Sequence, residues 1–398
     1  MWTAPIRAPE TQAMYDAADT ACPPGMRKFD VDAIIASIKP TLPKLAEEPG
    51  DWEEPLRRYA DAAEAEAKLN GLGYQSMRLM IAARLRARYA IAQTLENQPE
   101  IGTRKIDRPI FIIGGWRTGT TLLQRLMAAV PTLRGMLPME LTQPTRFATA
   151  SREEREALLA EARNAPNPLH LLNPHIMDIH PYGADEEEEC VLALGTDFKN
   201  LSFTSNLYIP AYAHWLLNED MSDSYAIYAD ILRMVQGDGE TRRLVLKAPA
   251  HTASLPAIWA NFPDAIIVQL HRDPVATVTS GASLFSVFHT TYSDEVDPLV
   301  VGEYQLEMTK IWFDRAKAAR QANPGKPFID VDFREFIADP VAMVAQICMA
   351  CGVAWGDKAE QAVRSRLDTL NQQHGSHKYR PEDFGLTAER IHSAFGQS

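Results

Sequence analysis

The chain has 398 residues, enough for one large domain or two to three ordinary ones. Its apolar and charged fractions, 46% and 23%, exclude a disordered or fibrous protein and fit a globular one. A formal charge of −12 argues against a nucleic-acid partner, because neutralising a phosphate backbone needs a basic surface.

Residues 1–105 read as a helical N-terminal extension packed on the core. The clearest helices are Asp51 to Asn70 and Tyr74 to Glu96, where Leu79, Met80, Ala83, Leu85 and Tyr89 recur near a 3.6-residue period. The segment MWTAPIRAPETQ has no apolar h-region, so no secretory signal is expected. No stretch reaches the roughly 18 apolar residues of a membrane span.

Residues 106–398 read as one α/β domain. Its strand candidates are Pro109 to Ile113, Leu133 to Leu137, Leu244 to Leu246, Ala265 to Leu270 and Phe328 to Val331. Helical stretches separate them, which predicts a parallel sheet flanked by helices. A mostly helical insert occupies about residues 140–240. There the run Asp185 to Glu189 reads as an acidic helix start. Phe198, Phe203, Tyr208, Tyr212 and Trp215 of the insert, with Phe285 and Phe288 beyond it, have core-like spacing, and an acceptor pocket is the competing reading. A polar C-terminal loop covers about residues 371–390.

Cys22, Cys190, Cys348 and Cys351 are too few for a disulfide framework, and a reducing cytoplasm fits. Cys348 and Cys351 form C-x-x-C inside an apolar run, with no second Cys or His pair nearby. Packing is the expected role.

The segment PIFIIGGWRTGTTLLQRL runs strand, glycine turn, helix. Gly114 and Gly119 have the spacing of a P-loop, which wraps backbone N–H groups around a phosphate at a helix N-terminus. The lysine of G-x-x-x-x-G-K-[ST] is replaced by Thr120, and the only cation of the loop is Arg117. That composition suits a nucleotide with one 5′-phosphate and a group to transfer better than a triphosphate. Further along, one strand ends at Lys247 and another in His271-Arg272-Asp273-Pro274, followed by a helix carrying Ser280. Parallel strands gather their C-terminal ends at one edge, so the loop, Lys247 and Arg272 should meet there. Arg272 and Ser280 offer a place for a second phosphate.

The pairing of GGWRTGTT with RDPVATVTS resembles the PAPS-dependent sulfotransferases (PAPS is 3′-phosphoadenosine 5′-phosphosulfate). Its arginine-bearing loop, LKAPAH segment and late HKYRPEDFGL loop are similar to a bacterial branch of that P-loop-like superfamily. The resemblance spans roughly residues 60–390. It implies that Gly115, Trp116, Arg117, Thr118, Gly119, Thr120 and Thr121 bind the 5′-phosphosulfate. Arg272 and Ser280, eight positions apart as in the family, would bind the 3′-phosphate. Lys378 of the tail loop His377 to Arg380 would close over it. Lys247 would assist the leaving group beside Arg117 and Thr121.

Transfer of a sulfuryl group in line depends on positioning and charge stabilisation. No metal-ligand spacing appears and no metal is expected. The acceptor hydroxyl or amine needs a base. Glu140 is the first candidate, in a PMEL segment that departs from the familiar WEL of related branches. His251 and His180 are the others. The acceptor class stays open between a small metabolite, a lipid and a glycan. The competing functions are a P-loop kinase or NTPase, which the missing lysine opposes, and a non-catalytic nucleotide-binding protein, which the retained Arg117, Lys247, Arg272 and Ser280 oppose.

Overall fold

A computed structural model describes residues 2–42, 51–165, 167–180, 182–237, 240–371 and 379–396. Five strands form one parallel sheet: β1 (Ile110–Gly114), β2 (Leu133–Arg134), β3 (Arg243–Lys247), β4 (Ile266–His271) and β5 (Phe328–Asp332), in the order β2-β3-β1-β4-β5. β1 is central and wholly buried, which is why it reads as an unbroken apolar run rather than an alternation.

The faces of β1 still alternate. Ile110 and Ile112 pack with Leu123 and Leu126 of the helix Thr120–Ala128 and with Val344 and Val363 of two C-terminal helices. Phe111 and Ile113 pack the other way, with Tyr228 and Leu232 of the helix Ser222–Gln236 and with Ile258. The period of two sends successive side chains to opposite layers.

Helices Pro9–Ala21, Val31–Ile38, Glu53–Glu66 and Gly71–Asn97 precede the first strand. The last begins earlier than the periodicity suggests, because Asn70 caps it: its side chain accepts from the Gly73 N–H at 2.7 Å. Its buried stripe is Tyr74, Met77, Ile81, Leu85 and Tyr89. Leu79, counted with that stripe from sequence, is 72% exposed. Leu56, Tyr59, Ile81 and Leu85 share a core with Phe198, Phe203 and Tyr212 of the insert and with Phe285 and Trp312 of the long helices Pro274–Tyr292 and Pro298–Ala322. The insert aromatics are therefore core. Tyr208 alone among them lines a cavity, a separate one bounded by Glu66 and His289.

Cys348 and Cys351 are fully buried under the sheet. Burial pushes their thiols up to about 12 and about 11, so both are inert.

Two sequence readings need correction. The second strand stops at Arg134, well short of Leu137. The carbonyl of Met136 instead accepts the Glu188 N–H at 2.9 Å, which draws the chain off the sheet. The run Asp185 to Glu189 does not start a helix; it is a turn and an extended stretch ahead of the short 3-10 helix Cys190–Leu192. Its carboxylates are spent on side-chain cations, so dipole capping is not their role. Asp185 meets Arg163, Glu186 meets Arg125 and Arg366, and Glu187 meets Arg366.

Candidate active site

The strand order reverses its course at β1, between β3 and β4 on either side. In open parallel sheets such a crevice lies outside the strand C-termini. Here β1 ends in Gly114, β3 in Lys247 and β4 in His271, and a cavity of about 400 Å³ opens above them.

The loop after β1 has the backbone conformation of an anion nest. Gly114, Arg117 and Gly119 have positive φ of 150°, 58° and 86°. Alternating hands of backbone turn successive N–H groups inward as a nest. Gly119 is also the N-cap of the helix Thr120–Ala128, whose first-turn N–H groups have no intrahelical acceptor. Arg117 holds a left-handed conformation that costs a non-glycine residue of order 1–3 kcal/mol. Gly115 is required by packing: a Cβ would sit 2.1 Å from Thr277 Cγ2.

Gly115, Trp116, Arg117, Gly119, Thr120 and Thr121 all line the cavity. Thr118 does not; it is buried, and its hydroxyl donates to the Gly115 carbonyl at 2.7 Å, which ties the loop shut from behind. Trp116 packs its indole on Phe285 and Trp312, with ring centroids 5.0 and 5.9 Å away, so it anchors the loop to the long helices.

Arg272 and Ser280 line the same cavity. The guanidinium of Arg272 donates to the Arg117 carbonyl and lies 4.0 Å over the Phe333 ring. Asp273 caps the following helix through the Val275 N–H at 2.9 Å, fixing the axis that carries Ser280. Tyr379 adds a phenol from the C-terminal region. Lys378 lies outside the described residues.

Lys247 reaches Thr121 as expected but is set back from the cavity surface. Its side chain is fully buried, one layer behind the cavity wall. The ammonium donates to Thr121 Oγ1 at 3.1 Å and to Glu189 Oε1 at 2.7 Å, and both partners line the wall.

The three candidate bases separate cleanly. Glu140 is buried away from the cavity. One carboxylate oxygen pairs with Arg134 at 2.5 Å, and the other accepts the Leu137 N–H at 2.9 Å. It closes its own short helix Pro138–Thr142. His251 is also outside the cavity, fully buried, with Nδ1 2.6 Å from the Tyr225 hydroxyl and its ring edge-on to Phe111. Burial and the nearby Lys247 charge hold its pKa down at about 3, so it stays neutral. His180 alone lines the cavity. Its Nε2 is 3.4 Å from Glu188 Oε1. Burial lowers its pKa, but the Glu188 charge outweighs that and leaves it above the usual histidine value. The partner Glu188 is held below the usual carboxylate range: burial opposes ionisation, and the His180 charge more than offsets it.

Glu188 and Glu189 are thus site residues that composition hid inside an acidic run. The available signal was the breadth of that run: four consecutive glutamates, with no lysine or arginine between Arg163 and Lys199, need cations from elsewhere in the fold. Arg125, one helical turn beyond Thr121 on the loop helix, also lines the cavity.

A nest-like glycine loop, an arginine and a serine beyond the neighbouring strand and the crevice between them suit an enzyme that moves an anionic group from a nucleotide. The chain belongs to the sulfotransferase family: the model described as "Sulfotransferase family" matches residues 109–357. It is a sulfotransferase with bacterial homologues, and the kinase, NTPase and non-catalytic readings do not hold. The omega-hydroxy-beta-dihydromenaquinone-9 sulfotransferase Stf3 of Mycobacterium bovis and of Mycobacterium tuberculosis is 26% identical over 301 residues, covering 71% of each chain. The crystal structure of sulfotransferase STF1 from Mycobacterium tuberculosis H37Rv is similar over 92% of this chain and 98% of its own, with 30% identity and a TM-score of 0.81. Sulfotransferase STF9 of Mycobacterium avium covers 93% and 95%, with 25% identity and a TM-score of 0.78. The expected parallel α/β fold with helices before its first strand is therefore observed. Among the described residues, no helix is long and apolar enough to cross a membrane.

Proposed function

We propose that the cavity binds PAPS and transfers its sulfuryl group to a hydroxyl on a largely apolar acceptor. The observation that carries the donor reading is the convergence of the Arg117 nest with Arg272 and Ser280 on one cavity. Two anion grips on one wall suit a nucleotide with a charged 5′ chain and a 3′-phosphate. They suit a triphosphate, which presents one contiguous chain of charge, less well. When bound, PAPS supplies the activated sulfuryl group. The loop amides and Arg117 hold the 5′ anion, and Arg272 with Ser280 holds the 3′ one.

His180 is assigned the acceptor proton. It lines the cavity, and the Glu188 carboxylate behind it stabilises the imidazolium that forms. Ile179, Pro249, Leu284 and Leu370 line the same space, an apolar wall suited to a lipid alcohol. The lipid-like acceptor named for Stf3 supports the same class.

Calorimetric titration with 3′,5′-adenosine bisphosphate and with ATP, both in EDTA, tests the donor. Tight bisphosphate binding is expected, and Arg272→Ala should weaken it by about 10- to 100-fold, as removal of a charge-assisted phosphate contact does at roughly 1.5–3 kcal/mol. ATP binding that is tighter and requires Mg²⁺ would overturn the reading.

A further inference from the structure

Lys247 is a buried ammonium that donates to one hydroxyl and one carboxylate. An ammonium enclosed in protein needs a counter-charge, because its desolvation is otherwise uncompensated. Glu189 supplies that charge, and it does so from the cavity wall, with its side chain 17% exposed while that of Lys247 is 0% exposed. The carboxylate therefore stands between the lysine and the space in which an anionic nucleotide would lie. Thr121, the other partner, belongs to the first turn of the loop helix, so Lys247 and the anion nest share one residue.

We propose that Glu189 is a positioning residue that competes with the nucleotide for Lys247. In the free enzyme its carboxylate satisfies the ammonium and holds it against Thr121. An anion entering the nest meets two opposing effects of this carboxylate: direct like-charge repulsion, and the loss of a cation already engaged. Both lower affinity for nucleotide, and both lower it for the spent bisphosphate as well as for the donor. Glu189 thereby limits how tightly product is retained. The neighbouring charges are consistent with a local function. Glu186 and Glu187 are committed to Arg125 and Arg366, and Glu188 to His180, which leaves Glu189 as the carboxylate of the run paired with Lys247.

This inference rests on the nucleotide reading above, and its test keeps the two apart. Bisphosphate affinity is measured by titration calorimetry for the full chain, for Glu189→Gln, for Lys247→Ala and for the double variant. Removing one like charge from a half-buried site should tighten bisphosphate binding by roughly tenfold in Glu189→Gln. The gain should shrink when Lys247 is also removed, since relief of the direct repulsion remains but no released lysine adds to it. Donor KM and kcat should fall together in Glu189→Gln as product release slows, and Glu189→Asp should restore both in part. A purely structural glutamate would weaken binding or leave it unchanged on substitution, and either outcome overturns the proposal. Binding that tightens equally with and without Lys247 overturns the competition too. If the unaltered chain binds no bisphosphate, the nucleotide reading fails instead. Should Glu189→Gln not fold, the salt dependence of bisphosphate affinity in Glu189→Asp provides the same comparison: it should match or exceed that of the unaltered chain, and a weaker dependence counts against the idea.

Discussion

His180 and Glu140 show how position inside a fold decides what an ionisable side chain can do. His180 reaches the cavity and has a carboxylate behind it; Glu140 has both oxygens occupied and no access. His180→Gln should cut kcat by about 10²-fold or more, the usual scale for a lost general base. The acidic limb of the unaltered enzyme should lie above the normal histidine range near 6.5, because the neutral form that accepts a proton accumulates only above the raised pKa. The stability supplied by the His180–Glu188 pair runs the other way. It is full below the unfolded histidine pKa and is lost as pH rises through the raised folded value. The enzyme should thus gain turnover as it gives up that contribution. Glu140→Gln should instead lower stability by about 3–5 kcal/mol, the cost of breaking a buried ion pair, with kcat per folded molecule within about threefold of normal. Denaturant unfolding alongside initial rates distinguishes the two, and a collapse of turnover in a fully folded Glu140→Gln protein would return the base to that residue. Residue-level chemistry was the least legible part of the sequence. Arg117, Arg272, Ser280 and Thr121 stood at motif positions, and motif spacing brought them to one cavity. Glu189 and Glu188 belong to no spacing rule. Their partners are 58 and 8 positions away, at Lys247 and His180, and only the path of the insert brings them together.

Elements were legible where one physical demand dominated. β1, β3 and β4 are largely apolar because both faces are covered, while the edge strand β5 buries Val331 and exposes Asp330 and Asp332; the expected strands overlap the observed ones at each. β2 was overestimated because Leu133 to Leu137 looks apolar whichever neighbour it meets. Its last residues turn away to pair with Glu188. The phosphate loop is the element with the least room for change. Gly115→Ala puts a methyl 2.1 Å from Thr277 Cγ2, and overpacking of that order costs about 1–3 kcal/mol. The loop must shift to relieve it. The expected result is a modest fall in the unfolding midpoint together with a much larger loss of bisphosphate affinity, since the nest geometry is displaced directly. Equal, small effects on both would mean that the loop tolerates the methyl.

The whole molecule holds the helices before β1 in one core with the insert and the two long helices, so that part of the chain is not a detachable appendage. Leu85, fully buried in this core, should cost about 2–5 kcal/mol when cut to alanine. Unfolding followed by tryptophan fluorescence, to which Trp52 and Trp312 of this core contribute along with the chain's other tryptophans, and by far-UV dichroism should shift by the same amount. Two transitions moving independently would show that the N-terminal helices fold apart from the sheet. Acid should act through two buried histidines. Burial depresses His251 to about 3 and His289 to about 4, so the unfolded chain binds more protons than the folded one below the normal histidine pKa. Stability should decline as pH falls from about 6.5 toward 4, and His289→Asn should flatten that slope in denaturant titrations. An unchanged slope would place the acid sensitivity elsewhere.

The cavity wall draws on residues from Gly115 to Tyr379, with Arg272 and Ser280 between. During synthesis these arrive in order, and the anion nest at β1 is the first part to leave the ribosome. It can have no second grip until Arg272 follows and no phenol at its rim until Tyr379 has been made. A ribosome-tethered chain truncated before residue 270 should therefore be unable to retain the bisphosphate, whatever helices it has already formed.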